Sequence, residues 1–257
     1  MAVPVGIVLA GRSNRGALAE SAPDVAWEAL IPLAGRPMGA YVVAALAGVR
    51  EVCGVVVVGP AELGRGTPTV VAPGGDLLGS LRAGLEAARA FAPQDAEYLV
   101  ATGDAPLLTS AAVADVLSRC RARGLALGYT AVPRVVCEQR FGRIRRTYVR
   151  LREGAFTGGN CFYLRAEAAE AVLNLTARAY AARKRPWALA RWLGWGLVAG
   201  LVLGTVRLSD AERAASRLLG KPAGVVVSDE AGVGVDVDDA GDLAFCRQAL
   251  EHPAGGR

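Results

Sequence analysis

The chain has 257 residues, enough for one large α/β domain or at most two small ones. It is 53% hydrophobic and only 6% aromatic, rich in Ala, Val and Leu with 32 glycines, a balance that suits a parallel sheet covered by Ala/Leu-rich helices. The net charge of +5 is almost wholly arginine, since lysine occurs only at Lys184 and Lys221, and it fits anionic partners: small molecules, lipid headgroups or nucleic acid. Five cysteines without C-x-x-C spacing and a lone histidine, His252, leave no basis for a disulfide framework, a zinc site or a histidine triad. Dispersed thiols point to a reducing, cytoplasmic setting, and the apolar start Ala2–Ala10 runs into a Gly/Arg loop with no basic leader, so no signal peptide is expected.

Val3–Leu9 reads as a short buried strand, followed by the polar loop Ala10-Gly11-Arg12-Ser13-Asn14-Arg15-Gly16 and turn-forming residues to about Asp24. Pro37–Val49 has helical spacing, and Val52–Val58 is a β-branched run expected in the sheet centre. A short strand at Thr69–Ala72 precedes Pro73-Gly74-Gly75, and Leu77–Phe91 reads as a helix. Tyr98–Thr102 is the next buried strand, and Ser110–Arg123 a helix that Gly124 ends. This alternation predicts a doubly wound, mostly parallel sheet with right-handed crossovers. Further on, a strand is expected at Gly159–Leu164 and a helix from Ala166 to about Arg183.

Two acidic segments stand out, each read as delivered by a buried strand. The first is Thr102-Gly103-Asp104-Ala105-Pro106-Leu107-Leu108; the second is Val233-Gly234-Val235-Asp236-Val237-Asp238-Asp239-Ala240-Gly241-Asp242-Leu243. A carboxylate at the carboxyl end of an apolar strand is costly unless a cation or ligand meets it. Two of them could clamp one Mg²⁺, which favours a few carboxylates plus substrate phosphates. That chemistry belongs to phosphoryl or nucleotidyl transfer.

Four segments resemble, in order, the nucleotidyltransferases typified by molybdenum cofactor guanylyltransferase and the sugar-phosphate and cytidylyl transferases. They are Val8–Arg15, the Ala29–Met38 stretch "A-L-I-P-L-A-G-R-P-M", Gly103–Leu108 "G-D-A-P-L-L", and Val237–Leu243. The resemblance covers roughly residues 3–165 and 224–250, and implies one nucleotidyltransferase-like domain over 1–257 with a Rossmann-like, GT-A-like fold. It implies an Mg²⁺-dependent enzyme that moves a nucleotidyl group from a nucleoside triphosphate to a phosphorylated small molecule, releasing pyrophosphate. Asp104 and Asp238 would hold Mg²⁺, with Asp236 the alternative if the register slips by two. Leu9, Ala10, Gly11 and Arg12 would bind the nucleotide, Arg15 would be a catalytic cation, and Asn160 would touch ribose or acceptor. Asp242 reads as a carboxylate in the first turn of a helix.

This chain departs from the family pattern in having Gly11-Arg12 rather than two adjacent glycines, and Glu28 where a lysine precedes "A-L". That swap puts turnover in question or moves the cationic role to Arg15 or Arg36. Gly75 and Ser80 open a stretch similar to the turn near the base in cytidylyltransferases, or a plain helix start. Thr157-Gly158-Gly159-Asn160 is a ligand-contacting strand end or a tight turn.

Seven arginines, at 134, 140, 143, 145, 146, 150 and 152, crowd nineteen residues, and Arg146–Arg152 alternates like a half-exposed strand. They form an acceptor-phosphate site, for which Arg146 is the candidate, or a charged and solvated edge. Nucleic acid is not expected, because only Phe141 and Tyr148 interleave the basic residues. A helical insertion is expected at about 183–220. Its uncharged run Trp192–Val206 is fifteen residues, short of a bilayer span, but three tryptophans beside a basic cluster resemble an interfacial anchor. Peripheral membrane contact through 183–207 therefore stands beside the alternative of a helix packed on the sheet or in a dimer. The rival to the enzyme is a catalytically silent nucleotide-binding or membrane-associated regulator of the same fold.

Overall fold

A computed structural model describes residues 2–64, 69–92, 95–142, 145–182, 187, 191–192 and 194–252. Arg143 and most of the basic and Trp-rich stretch 183–193 lie outside the described residues. Strands β1 (Pro4–Leu9), β4 (Gly54–Val58), β5 (Thr69–Val71), β6 (Glu97–Thr102), β7 (Leu127–Pro133), β9 (Gly154–Arg165) and β10 (Ala223–Val227) form one sheet in the order β10-β7-β9-β6-β1-β4-β5. The short β8 (Val149–Leu151) pairs with β9, and β2 (Pro32–Leu33) pairs with β3 (Arg36–Pro37) as a separate ribbon. β1, β4, β5 and β6 run parallel, as do β7 and β10, while β9 runs antiparallel to both of its neighbours β6 and β7. The sheet is thus mostly parallel, as the alternation of elements predicts.

Period-2 alternation divides the sheet's residues between two cores. On β1, Val8 faces the core built with Val42 and Leu46 of α1 (Met38–Ala47) and Val113 and Leu117 of α3 (Ser110–Ala122). Val5 and Ile7 face the opposite core, with Leu81 and Leu85 of α2 (Leu77–Ala88), Val172 of α5 (Ala169–Ala182) and Leu219 of α7 (Leu208–Leu219). Helices on both faces make the fold doubly wound. A third cluster, Leu18, Ile31, Leu33, Met38, Val235, Val237, Leu243 and Cys246, sits beneath the carboxyl edge and seats α8 (Ala240–Glu251).

Caps place the helix starts. Asp76 accepts from the Gly79 amide at 2.7 Å ahead of α2, Thr109 from the Ala112 amide at 3.1 Å ahead of α3, and Asp239 from the Asp242 amide at 3.0 Å ahead of α8. The Asp242 Oδ2 accepts in turn from the Asp238 amide at 3.2 Å, so Asp242 is the first-turn carboxylate that its position suggests.

Three expectations need correction. Thr157–Asn160 is neither a turn nor a strand end but the middle of β9. The second acidic segment contains no strand: a 3-10 turn (Ala231–Gly234) leads into an irregular extended connector. The valines keep one side, because Val233, Val235 and Val237 are fully buried while Asp236 between the last two is part-exposed and Asp238 after them is exposed. In the arginine arm, only Val149–Leu151 is strand, and Arg134–Phe141 forms helix α4. Within the expected insertion lie α6 (Trp195–Leu203) and α7, and α7 packs on β10.

Candidate active site

The predicted residues come from six chain segments, around 9–15, 75–80, 104, 146, 160 and 236–238. The loop after β1 starts where Leu9 and Ala10 leave the sheet. Both are buried, and the sheet edge uses their backbone: the Ala10 amide donates to the Val58 carbonyl at 2.8 Å and the Leu9 carbonyl accepts from the Gly103 amide at 2.8 Å. They therefore support the loop, and the Ala10 N–H is engaged within the sheet. Gly11 lies so close to Pro73 that an added Cβ would fall 2.3 Å from the proline Cβ. That approach explains the glycine and joins the loop to the Pro73-Gly74-Gly75 turn. Ser80, buried at the start of α2, accepts from the Gly74 amide at 3.2 Å, so its hydroxyl holds this turn. Gly75 itself is open, at φ +82°.

Residues 14–27 fold back beside the loop. Asn14 Nδ2 donates to the carbonyls of Ala22 at 2.8 Å and Val25 at 2.9 Å, and Leu18 anchors the excursion in the third core cluster. Arg15 projects from this scaffold, exposed, with no ion pair or hydrogen bond to the described residues. Arg36 instead stacks over Tyr41 at 5.0 Å.

The two acidic segments meet through the backbone: the Val237 amide donates to the Asp104 carbonyl at 3.0 Å. Arg12 lies between them, its Nε 3.2 Å from Glu28 Oε2 and its Nη1 3.3 Å from Asp238 Oδ1. Glu28 is buried, so the anion at the expected lysine position does not face solvent but holds a guanidinium. Arg12 is 62% exposed, so these pairs add little stability; their consequence is where they aim the guanidinium.

Burial raises the Asp104 pKa above the ordinary carboxylate range; the Thr102 hydroxyl and the Asp104 backbone oppose the shift, the Asp238 charge adds to it and Arg12 lowers it. Burial likewise raises Glu28, Arg12 lowering it and Asp104 and Asp238 raising it further. Asp104 Oδ1 is buried without a hydrogen-bond partner among the described residues, whereas Glu28 Oε2 has Arg12 Nε at 3.2 Å. An orphaned carboxylate oxygen beside a second carboxylate fits a hard cation. No group of three His, Cys, Asp or Glu side chains converges among the described residues, so a cation here would draw most of its oxygens from substrate and water.

Asp236 and Arg146 are paired with each other. Arg146 is 7% exposed, and its Nη1 lies 2.5 Å from Asp236 Oδ1, its Nη2 2.5 Å from the Asp236 carbonyl and 3.4 Å from Asp242 Oδ1. The fallback metal ligand is thus committed to an arginine, and the arginine assigned to acceptor phosphate holds the acidic connector in place. Burial raises the Asp236 pKa and Arg146 counters it.

Beside Asp238 opens a cleft of about 940 Å³, lined by Tyr129, Arg145, Asn160, Asp236, Asp238 and Phe245 among others. Its floor is the glycine pair of β9. A Cβ on Gly158 would stand 2.3 Å from the Tyr129 hydroxyl oxygen, and one on Gly159 2.0 Å from Thr130 Oγ1. Asn160 points into the cleft and donates to the Val233 carbonyl at 3.2 Å. Tyr129 and Phe245 are cleft residues that sequence reasoning missed, while Arg145 belongs to the arginine group read as an acceptor-phosphate site or a charged edge. The β-forming run Tyr129-Thr130-Ala131-Val132 after the helix stop at Gly124 was the available signal for the first.

Comparison with known proteins gives the family and the fold. Residues 6–192 match the family model described as the MobA-like NTP transferase domain. A protein of Thermus thermophilus described as a hypothetical transferase is 41% identical, with a TM-score of 0.83 over 95% of this chain and 100% of that one. The 4-diphosphocytidyl-2C-methyl-D-erythritol synthase of Anaerococcus prevotii shares the fold at 11% identity, with a TM-score of 0.59 over 97% of this chain and 99% of that one. So does a CMP:2-keto-3-deoxy-manno-octonic acid synthetase complexed with CTP, at 14% identity and 0.60, over 98% and 100%. No curated protein matches the sequence.

Proposed function

Because this chain belongs to the MobA-like NTP transferase domain family, we propose that it moves a nucleotidyl group from a nucleoside triphosphate to a phosphorylated small molecule. The observation that carries the reading is the junction at Asp238: one carboxylate touches Arg12 of the β1 loop and also lines the cleft that holds Asn160. A donor on the loop and an acceptor in the cleft would meet at that point. An acceptor phosphate oxygen would attack the α-phosphorus in line, a new P–O bond forming as the bond to the bridging β-phosphate oxygen breaks and pyrophosphate leaves. Such a reaction asks for positioning and charge neutralisation rather than a strong base.

Asp104 and Asp238 would hold Mg²⁺, which when bound supplies charge neutralisation to the phosphates. Arg12, aimed by buried Glu28, would act on the triphosphate from the opposite side, and Arg15, with no ion pair among the described residues, is available to its outer phosphates. On this reading Glu28 is a positioning residue for Arg12, and it compensates for the missing lysine rather than silencing the site. Asn160 and Arg145 would face the acceptor. A catalytically silent protein would keep the same loop but bind nucleotide without turnover.

Pyrophosphate release, measured with each of four nucleoside triphosphates, Mg²⁺ and a panel of phosphorylated acceptors, tests this. Release that requires both Mg²⁺ and one acceptor supports the reading. Failure of every triphosphate to bind in the presence of Mg²⁺ would remove it.

A further inference from the structure

Helix α6, Trp-Gly-Leu-Val-Ala-Gly-Leu-Val-Leu, carries no charge and none of its residues is buried. Trp195, Ala199, Val202 and Leu203 fall on one helical face by their spacing, and that face looks outward. Trp195 is 63% exposed, Val202 83% and Leu203 74%. Apolar side chains that belong in a core thus form the solvent-facing stripe. The inner side is no better packed, since Leu197 and Gly200 overlook a groove of about 1000 Å³ shared with Ser209 and Arg213 of α7.

Arginines stand at both ends of this stripe. Near its amino end, Arg191 is exposed and Arg178 lies over the Trp192 ring at 5.6 Å. At its carboxyl end, Gly204 approaches Arg150, the Arg152 amide donates to the Val206 carbonyl at 2.9 Å, and Arg207 follows; all three arginines are exposed. We infer that the outward face of α6, with the arginines at its two ends, docks onto an anionic lipid surface. An apolar stripe with an interfacial tryptophan and flanking guanidinium groups matches the depth profile of a bilayer interface: acyl boundary, headgroups, phosphates.

Charge decides against a second copy as the occupant. A twofold contact through the same stripe would bring the arginine groups of one subunit against those of the other, a like-charge arrangement that disfavours association. The helix lies in the interface rather than across it, for among the described residues no helix is long and apolar enough to cross a membrane. Docking also orients the enzyme. α6 packs on β8, whose Val149 lines the cleft beside Asn160, so the cleft mouth is held near the lipid surface.

The test is sedimentation of the full-length protein with vesicles of phosphatidylcholine alone or mixed equally with phosphatidylglycerol. Partition onto the anionic vesicles is expected to be at least tenfold stronger, with a blue shift of tryptophan emission, and to weaken as salt rises to 0.5 M, a concentration of the order that screens surface charge within a few ångström. Val202→Asp/Leu203→Asp, at two exposed positions, is expected to cut partition tenfold or more with an unchanged circular dichroism melt. Arg150→Glu/Arg207→Glu is expected to remove the preference for anionic lipid. Equal and negligible sedimentation with both vesicles, binding that survives the aspartate variant, or a concentration-dependent dimer that this variant dissolves would each overturn the inference. Nucleotide binding is measured separately, so the inference and the proposed transfer activity fail independently.

Discussion

Strand β6 carries a carboxylate at each end, and the two have opposite surroundings. At its start, buried Glu97 has both oxygens occupied: Arg121 Nε donates to Oε2 at 2.9 Å, and the Tyr163 hydroxyl donates to Oε1 at 2.7 Å. Arg121 also donates to the Ala2 carbonyl at 3.1 Å, closing the network onto the chain's beginning. Just beyond its other end, Asp104 has a buried oxygen without a hydrogen-bond partner among the described residues, within the field of Asp238 and near the Glu28 carboxylate that Arg12 pairs. A satisfied buried carboxylate locks a sheet, whereas an unsatisfied one raises the energy of the fold and is explained by what it binds. The parallel strands put the second kind at their carboxyl ends, where open α/β sheets take their ligands.

The sharpest way to break this contrast is to remove each carboxylate in turn. Asp104→Ala is expected to cost about a thousandfold or more in pyrophosphate release, as loss of a metal ligand does, with the melting temperature held or raised. Glu97→Ala is expected to do the reverse. It strands Arg121 and the Tyr163 hydroxyl, costs about 3 kcal/mol in a urea titration, and leaves activity per folded molecule intact. If Asp104→Ala unfolds the protein and Glu97→Ala does not, the assignment of the two ends is wrong.

Arg12→Ala sharpens the functional end, with an expected loss of about a hundredfold in kcat/KM for the triphosphate, the scale of one lost charge-stabilising donor. Glu28→Gln should fall short of that, about tenfold, because it loosens the guanidinium without removing it. Equal losses would mean that Glu28 touches the chemistry itself.

The smallest effect is on stability against pH. Asp104, Glu28 and Asp236 are each raised, chiefly by burial, above their ordinary values. Between the unfolded and folded pKa values the folded chain therefore holds more protons than the unfolded chain, and stability falls as pH rises. Without metal, the melting temperature is expected to drop as pH is raised from about 4 through the folded pKa values. Asp104→Asn should flatten that slope and raise the metal-free melting temperature at neutral pH, which scanning calorimetry would read.

The two regions also differ in how far the sequence revealed them. The valine run of β4, the apolar run of β6, the helices beginning at Leu77 and Ser110, and the Gly103-Asp104 step were legible because each is local: hydrophobic period and a turn residue suffice. Asp104 and Asp238 were legible as a pair only through order along the chain, and the Val237–Asp104 hydrogen bond supplies the contact. The partners of the other residues are long-range, and no spacing rule reaches them. Asp236 meets Arg146 across 90 positions, Arg12 meets Asp238 across 226, and Tyr163 meets Glu97 across 66. Hence Arg146 reads from the sequence as an acceptor-phosphate group or part of a solvated edge, and Glu28 as an anion set against phosphate, while the fold engages both in ion pairs. β9 was cut short in the reading because Gly158-Gly159 looks like a turn, although its glycines answer to Tyr129 and Thr130 on the neighbouring strand.

The most direct test of the site is calorimetric titration of the wild type and Asp104→Asn with each nucleoside triphosphate, with and without Mg²⁺, paired with thermal melts. The account predicts that one or more triphosphates stabilise the wild type by about 2.7 kcal/mol at a hundred times the dissociation constant, only with Mg²⁺, and that Asp104→Asn loses this dependence. Identical Mg²⁺-dependent binding by the variant would contradict it.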